Sequence, residues 1–267
     1  CVPELVAGFR AEGVRSHHVN HGFAPRILNQ LDLKSEPDTD FAFVGSVVKQ
    51  NRFHLERERL LLQLVKSTNL QIWSEIKRPS FKERRDIYAR RNAYKIVSAA
   101  RRARVSEQVL NALPLARKVA HWNAPPILNQ YVDQRLARRT HPPVFGIEMF
   151  QRLRASRVVF NNHIDISQVS ASNMRLFEAT GVGACLLTDW RENLSDLFEP
   201  DKEVLTYRTA EECVEKVKYI FEHEAERRSI AAAGQRRTLR EHTFEKLVAQ
   251  LDEIIRAALI FASQKRR

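Results

Sequence analysis

The stretch from Ser172 to Asp189, S-N-M-R-L-F-E-A-T-G-V-G-A-C-L-L-T-D, concentrates side chains able to hold an anion and a diol. Ser172 has the side chain of a helix N-cap, and a helix starting there would present unpaired N–H groups to a phosphate. Asn173 and Arg175 fall in the first turn, where a guanidinium adds charge-assisted contacts to a diphosphate. Glu178 follows, and a carboxylate accepting two hydrogen bonds suits the paired hydroxyls of a ribose. Arg175 and Glu178 are also three apart, so the spacing fits a plain ion pair on a helix surface, and by itself favours that reading.

Three shorter clusters accompany it. F-V-G-S, Phe43 to Ser46, places Gly45 and Ser46 where a backbone can approach a ligand closely, with Lys49, Arg52 and His54 following as candidate phosphate contacts. It is neither a dinucleotide fingerprint nor a Walker loop. N-N-H-I-D, Asn161 to Asp165, offers Asn162 and His163; the imidazole could donate to phosphate or carry a proton, although an ordinary loop histidine fits equally. Residues 189–193 form a third polar stretch, immediately after an apolar run. Neither the histidines nor Cys1, Cys185 and Cys213 have metal-site spacing, so no metal is expected. Three widely spaced cysteines fit a reducing, cytoplasmic setting.

The elements that must position these residues alternate. Apolar runs at 41–47, 70–73, 157–161, 184–189 and 203–207 read as strands. Helices are expected at 53–66, 173–180, 210–223, 225–233 and about 244–260, with Gly181 and Gly183 closing the second. The pattern predicts an α/β, Rossmann-like fold with a parallel sheet covered on both faces. In such sheets ligands sit beyond the carboxyl ends of the strands. That rule selects Gly45–Ser46, residues 161–172 and residues 189–193.

The chain of 267 residues carries a formal net charge of +12. Much of the excess lies between Lys77 and Arg104, where eleven Lys and Arg face only Glu83 and Asp86. Such a run is usually a solvated helical face, and otherwise marks an anionic neighbour such as a membrane surface. Its aromatic residues, Phe81, Tyr88 and Tyr94, are too sparse for a nucleic-acid stacking platform, which argues against nucleic acid. No run approaches the ~18 apolar residues of a membrane span.

The stretches FGIEMFQRLRASRVVFNNHID, SNMRLFEATGVGACLLTDWRENLSDLF, EVLTY and AAAGQRRTLREHTF resemble the C-terminal domain of group 1 glycosyltransferases, in the branch that includes spore-maturation-type proteins. FVGS is similar to that domain's first strand. The resemblance covers roughly 40–75 and 143–255. It implies a two-Rossmann-domain enzyme in which this half binds a nucleoside diphosphate sugar, without a bound metal or further cofactor, and passes the sugar to an acceptor such as a glycan, lipid or protein. It implies that Glu178 holds the donor ribose and that Gly45 and Ser46 face the diphosphate. It places Asn173 and Arg175 near the phosphates, with Glu192 and Asn193 in the next loop. The family often carries a second acid eight positions before the helix glutamate; here that position is Ser170. The expected organisation is the tail of an acceptor domain at 1–38, a donor domain at 39–243 with a helical insertion at about 77–140, and a closing helix at 244–267 that crosses toward the other domain. With Cys1 in place of an initiator Met, the chain reads as a fragment unable to turn over alone. The competing expectation is a non-catalytic protein binding nucleic acid or an anionic surface on a degenerate transferase fold.

Overall fold

A computed structural model of the protein describes residues 3–47, 54–76, 80–112, 133–163 and 169–264. They fall into two compact units, one within Cys1–Val47, Phe53–Glu75 and Gln134–Arg267, the other within Val48–Arg52 and Ile76–Asp133.

The first unit is built on a parallel sheet, with six strands among the described residues: β1 (Thr39–Val44), β2 (Leu70–Trp73), β3 (Thr140–His141), β4 (Ser156–Asn161), β5 (Cys185–Asp189) and β6 (Leu205–Tyr207). The spatial order is β3-β2-β1-β4-β5-β6, all neighbours parallel. Phe41 lies opposite Leu70 on one side and Val158 on the other, which sets the central register. The inner strands are apolar almost throughout and buried, as a sheet covered on both faces requires. From the β1–β4 pair the chain winds outward in opposite directions, so right-handed crossovers put the connecting helices on opposite faces. One face carries α2 (Leu55–Ser67). The other carries α6 (Gly146–Arg154), α7 (Arg175–Gly181) and α10 (Glu224–Glu241). α9 (Ala210–Glu222) packs beside α2. Short helices α5 (Gln134–Ala137) and α8 (Leu194–Leu197) complete the connections, with α1 (Pro3–Ala11) and α11 (Phe244–Gln264) beside them.

Two helix ends differ from expectation. Ser172 does not cap α7; the Asn173 Oδ1 accepts the Leu176 N–H at 3.4 Å, and the helix begins at Arg175. α10 runs well past residue 233, because Gly234 is an interior helical residue rather than a stop. A Cβ there would lie 2.3 Å from the Glu203 carbonyl oxygen, so glycine serves close approach of the helix to the β6 side. The end of α7 follows expectation: Gly183 has φ +82, its N–H bonds the Thr180 carbonyl, and the Ala184 N–H bonds that of Ala179. This is a Schellman closure.

Phe23 forms an isolated parallel bridge with Thr243. Its N–H donates to the His242 carbonyl at 2.8 Å, and its carbonyl accepts from the Phe244 N–H at 3.0 Å. The Phe23 ring is buried against Gly181, which leaves no room for a side chain. His242 is structural: its ring packs on Phe177 and Phe198, and its Nε2 meets the Leu197 carbonyl at 2.9 Å.

In the second unit, α3 (Phe81–Arg102) starts with a capping box between Ser80 and Glu83. It packs with α4 (Glu107–Ala112) through Val97 and Leu110, joined by Ala93, Tyr94 and Ala100.

Candidate functional site

The strand order reverses between β1 and β4, and the crevice at their carboxyl ends is the place where such folds bind ligands. Gly45 and Ser46 leave β1 on one side, and Asn162 and His163 leave β4 on the other. Arg57 joins the two. It lies on the core face of α2, in line with the fully buried Leu61 and Leu64 at helical spacing. Its Nη1 donates to the Ser46 carbonyl at 2.9 Å and its Nη2 to the Asn162 carbonyl at 2.5 Å. The guanidinium also lies 5.7 Å from the Phe43 ring centre. Burial, reinforced by the Arg57 charge, pushes the neighbouring His54 down to about 4. His54 is therefore neutral at pH 7. Arg57 was not among the sequence candidates, yet it carried a signal: a cation at a core-facing position of an amphipathic helix.

His163 is 2% exposed. Its Nδ1 lies 2.7 Å from the Asp189 Oδ1, which also accepts the His163 backbone N–H at 3.0 Å. With Nδ1 donating to the carboxylate, the opposite ring nitrogen, Nε2, is buried and has no hydrogen-bond partner among the described residues. Asp189 is held from its other side by Arg191, whose Nε and Nη2 reach Oδ2 at 3.0 and 2.6 Å. Burial acts to raise the Asp189 carboxyl, but the His163 hydrogen bond and charge together with the Arg191 charge outweigh it and keep the group below its ordinary value. Asp189 closes β5, 26 residues from His163, so local spacing does not reveal the pair.

Asparagines tie the β4 end to the α7 start. Asn173 Nδ2 donates to Asn161 Oδ1 at 2.8 Å, and Asn161 Nδ2 donates to Thr188 Oγ1 at 2.9 Å. Tyr207, at the end of β6, donates its hydroxyl to the Asn161 carbonyl at 3.0 Å and accepts from Asn162 Nδ2 at 3.3 Å. Asn162, Asp189, Trp190, Arg191 and Arg208 line a cavity of about 480 Å³ between these strand ends and helices α2 and α9. The Arg208 guanidinium stacks on Trp190, 3.8 Å from the ring centre.

The remaining sequence candidates divide. Arg175 and Glu178 form an ion pair at 2.8 Å, but a largely buried one rather than the surface pair their spacing favoured. Burial lowers Arg175 and raises Glu178, with each partner's charge opposing the shift. Arg175 Nη1 also contacts the Met149 sulfur at 3.3 Å. Glu178 lines a second cavity, about 410 Å³, with Phe23, Met174 and Phe244. The two cavities share no lining residue. Asn193 is a loop clamp: its Oδ1 accepts the Ala171 N–H at 2.6 Å and its Nδ2 donates to the Ala171 carbonyl at 3.2 Å. Glu192 is exposed, and its backbone N–H donates to Val169. Ser170 is buried. Lys49, Arg52 and Asp165 lie outside the described residues. Among the described residues no group of three His, Cys, Asp or Glu is placed to hold a metal ion.

The fold is that of a doubly wound, Rossmann-like α/β protein with a crevice at the strand carboxyl ends. A family model described as glycosyl transferase-like matches residues 26–253, and the chain belongs to that family, among the group 1 glycosyltransferases. No curated protein sequence matches it. In fold it is similar to sucrose-phosphate synthase from Thermosynechococcus elongatus, with TM-score 0.55 and 14% identity over 98% of this chain and 57% of that one. It is also similar to Anabaena HepE in complex with UDP and glucose, with TM-score 0.57 and 10% identity over 96% and 62%. A glycosyltransferase from Rickettsia africae gives TM-score 0.54 and 9% identity over 97% and 62%. The chain thus spans less than two thirds of each of these structures, and at such identities the likeness is one of fold.

Proposed function

We propose that this chain supplies the donor-binding half of a glycosyltransferase that moves a sugar from a nucleoside diphosphate sugar to a glycan, lipid or protein acceptor. The observation that carries the reading is His163 at the β1–β4 crevice, its Nδ1 fixed by Asp189 and its buried Nε2 without a hydrogen-bond partner among the described residues. With Nδ1–H given to Asp189, Nε2 is an acceptor in the neutral ring; when the ring carries a second proton on Nε2, an arriving diphosphate would accept a hydrogen bond from it, and the Asp189 carboxylate would stabilise that imidazolium. Transfer requires stabilising the negative charge that grows on the leaving diphosphate, and fixed donors in a dry crevice do this without reorganising. Arg57 is a positioning residue: it holds the Gly45–Ser46 and Asn162 loops at a set separation and adds a positive field. Asn173 orients the start of α7 toward the same crevice edge. Glu178 takes the ribose hydroxyls in this reading, after yielding part of its pairing with Arg175. The diphosphate charge is met by side chains, so the reading needs no metal. A fold neighbour solved with UDP and glucose supports a uridine donor as the first to test.

The test is calorimetric titration of the protein with UDP, GDP and UDP-glucose, repeated on His163→Ala. The expected outcome is binding of at least one nucleotide, weakened roughly tenfold to a hundredfold by the substitution, the value of a hydrogen bond to a charged group. Absence of binding by every nucleotide, or an unchanged affinity in folded His163→Ala, overturns the assignment.

A further inference from the structure

α3, in the second unit, carries an exposed basic stripe. Its rotation is fixed by the small core it shares with α4: Val97 is buried against Leu110, with Ala93, Tyr94 and Ala100 alongside. Arg101 is turned to the same side, where Glu107 takes its Nε at 2.7 Å and its Nη2 at 3.1 Å. The opposite side of the helix is therefore held outward. On it, Phe81, Arg84, Arg85, Tyr88, Lys95 and Arg102 recur at spacings of three, four and seven, which is one face of an α-helix. Ile96 borders them. These apolar side chains are not tucked away: Phe81 is 86% exposed, Tyr88 72% and Ile96 69%. The two acids of the helix, Glu83 and Asp86, lie two and five positions from Phe81 and so fall off the stripe. Glu83 is occupied with the capping box, and Asp86 touches only the edge of the stripe, through Arg85 at 3.7 Å.

Rings and an isoleucine in one row with a strong excess of cations match the interface of an anionic bilayer. There apolar side chains enter the acyl boundary while guanidinium and ammonium groups stay among the headgroup phosphates. The geometry also suits a plane: 22 residues make a straight rod of about 33 Å, long enough to lie along a surface. A nucleic-acid backbone would satisfy the cations but leaves Ile96 without a role.

We infer that the outward stripe of α3 docks the protein on an anionic lipid surface, with Phe81, Tyr88 and Ile96 inserted and Arg84, Arg85, Lys95 and Arg102 on the headgroups. The full chain is mixed with phosphatidylcholine vesicles, with or without phosphatidylglycerol, and separated by flotation at physiological salt. It should float with the anionic vesicles only. Each basic residue near such a surface is worth close to a fivefold change, so Arg84→Gln with Arg85→Gln should weaken partition roughly thirtyfold. A charge-matched control, Arg236→Gln with Arg240→Gln on α10, should weaken it far less. Phe81→Ser with Tyr88→Ser should weaken it without removing charge, and Phe81→Trp should retain it. Both rings are exposed, and circular dichroism checks that each variant is folded. The inference fails if the parent protein does not float with anionic vesicles, if the two serine substitutions leave flotation unchanged, or if the control pair weakens it as much. It also fails if a single-stranded oligonucleotide strips the protein from the vesicles and binds more tightly.

Discussion

Arg57 and the arginines of α3 carry the same charge and live under opposite rules. Arg57 is buried, with two of its nitrogens bonded to backbone carbonyls across the β1–β4 crevice. Arg84 and Arg85 lie open to water on a helix with few acids, Asp86 reaching only Arg85 at 3.7 Å. A buried cation sets geometry, because its hydrogen bonds are strong and leaving them unmade is costly. An exposed row of cations sets a field, because each charge is individually cheap to move and screened by salt. Counting charges along the chain therefore finds α3 and passes over Arg57.

The largest expected effect lies on the buried side. Arg57→Met should lower unfolding free energy by about 3–5 kcal/mol, the worth of two charged hydrogen bonds whose carbonyl partners become orphans. Urea unfolding followed by circular dichroism measures it. The loss would appear as a lower midpoint at constant slope. If stability stays within about 1 kcal/mol of the parent, the crevice is held by something other than Arg57.

Glu178→Ala comes next. In the donor-bound state it should cost about 1–3 kcal/mol of nucleotide affinity, and Glu178→Gln less. Because Glu178 also pairs with Arg175, the same variants are unfolded in urea. An affinity loss that merely tracks the stability loss would reduce Glu178 to a structural ion pair.

Asp189 supplies a pH signature for the same buried site. Its folded-state value lies below the ordinary carboxylate value, so the unfolded chain binds a proton more readily. The stabilisation is complete above about pH 5 and is lost as the pH falls through the folded-state value below about 4. The stability difference between the parent and Asp189→Asn should thus stay level from neutral pH down to that window and shrink beneath it. A difference unchanged at lower pH would show that the carboxylate is not held by His163 and Arg191.

The smallest effect belongs to α3. Ser80→Ala removes half of the capping box, at a cost of about 1 kcal/mol confined to the second unit. Hydrogen exchange should show faster exchange in the first turn of α3 and no change at Arg57 or His163. Faster exchange at Arg57 or His163 as well would show that the loss is not confined to the second unit.

What the chain reveals by itself follows how local the physics is. β2 is legible at Leu70–Trp73 because a short apolar run between polar residues has one interpretation. β3 is missed: two residues, Thr140 and His141, make no pattern and are placed by pairing with Ile72 and Trp73. α10 is cut short at 233 in the sequence reading, whereas it runs through Gly234, whose role is set by the distant Glu203 carbonyl. Asn173 takes the capping bond expected of Ser172, a shift of one residue that propensity does not resolve, as both types cap helices well. At the site, residue types mark His163 as capable chemistry, but its partner Asp189 and the bridge through Arg57 arise only when separate strands and a helix meet. Those contacts are the ones that fix the orientation of an otherwise ordinary loop histidine.

The bridge at Phe23 has a mechanical consequence. The backbone of Phe23 is stitched on both sides to the residues that launch α11, and its ring is wedged against Gly181, three residues beyond Glu178. Phe23, Glu178 and Phe244 also share the walls of one cavity. α11 therefore cannot swing like a free arm. Any tilt that starts at its first turn pulls on the stitch, the stitch drags the ring, and the ring displaces the wall beside the carboxylate. The helix acts as a lever whose short end is the shape of that cavity, so a load applied along α11 is felt at Glu178.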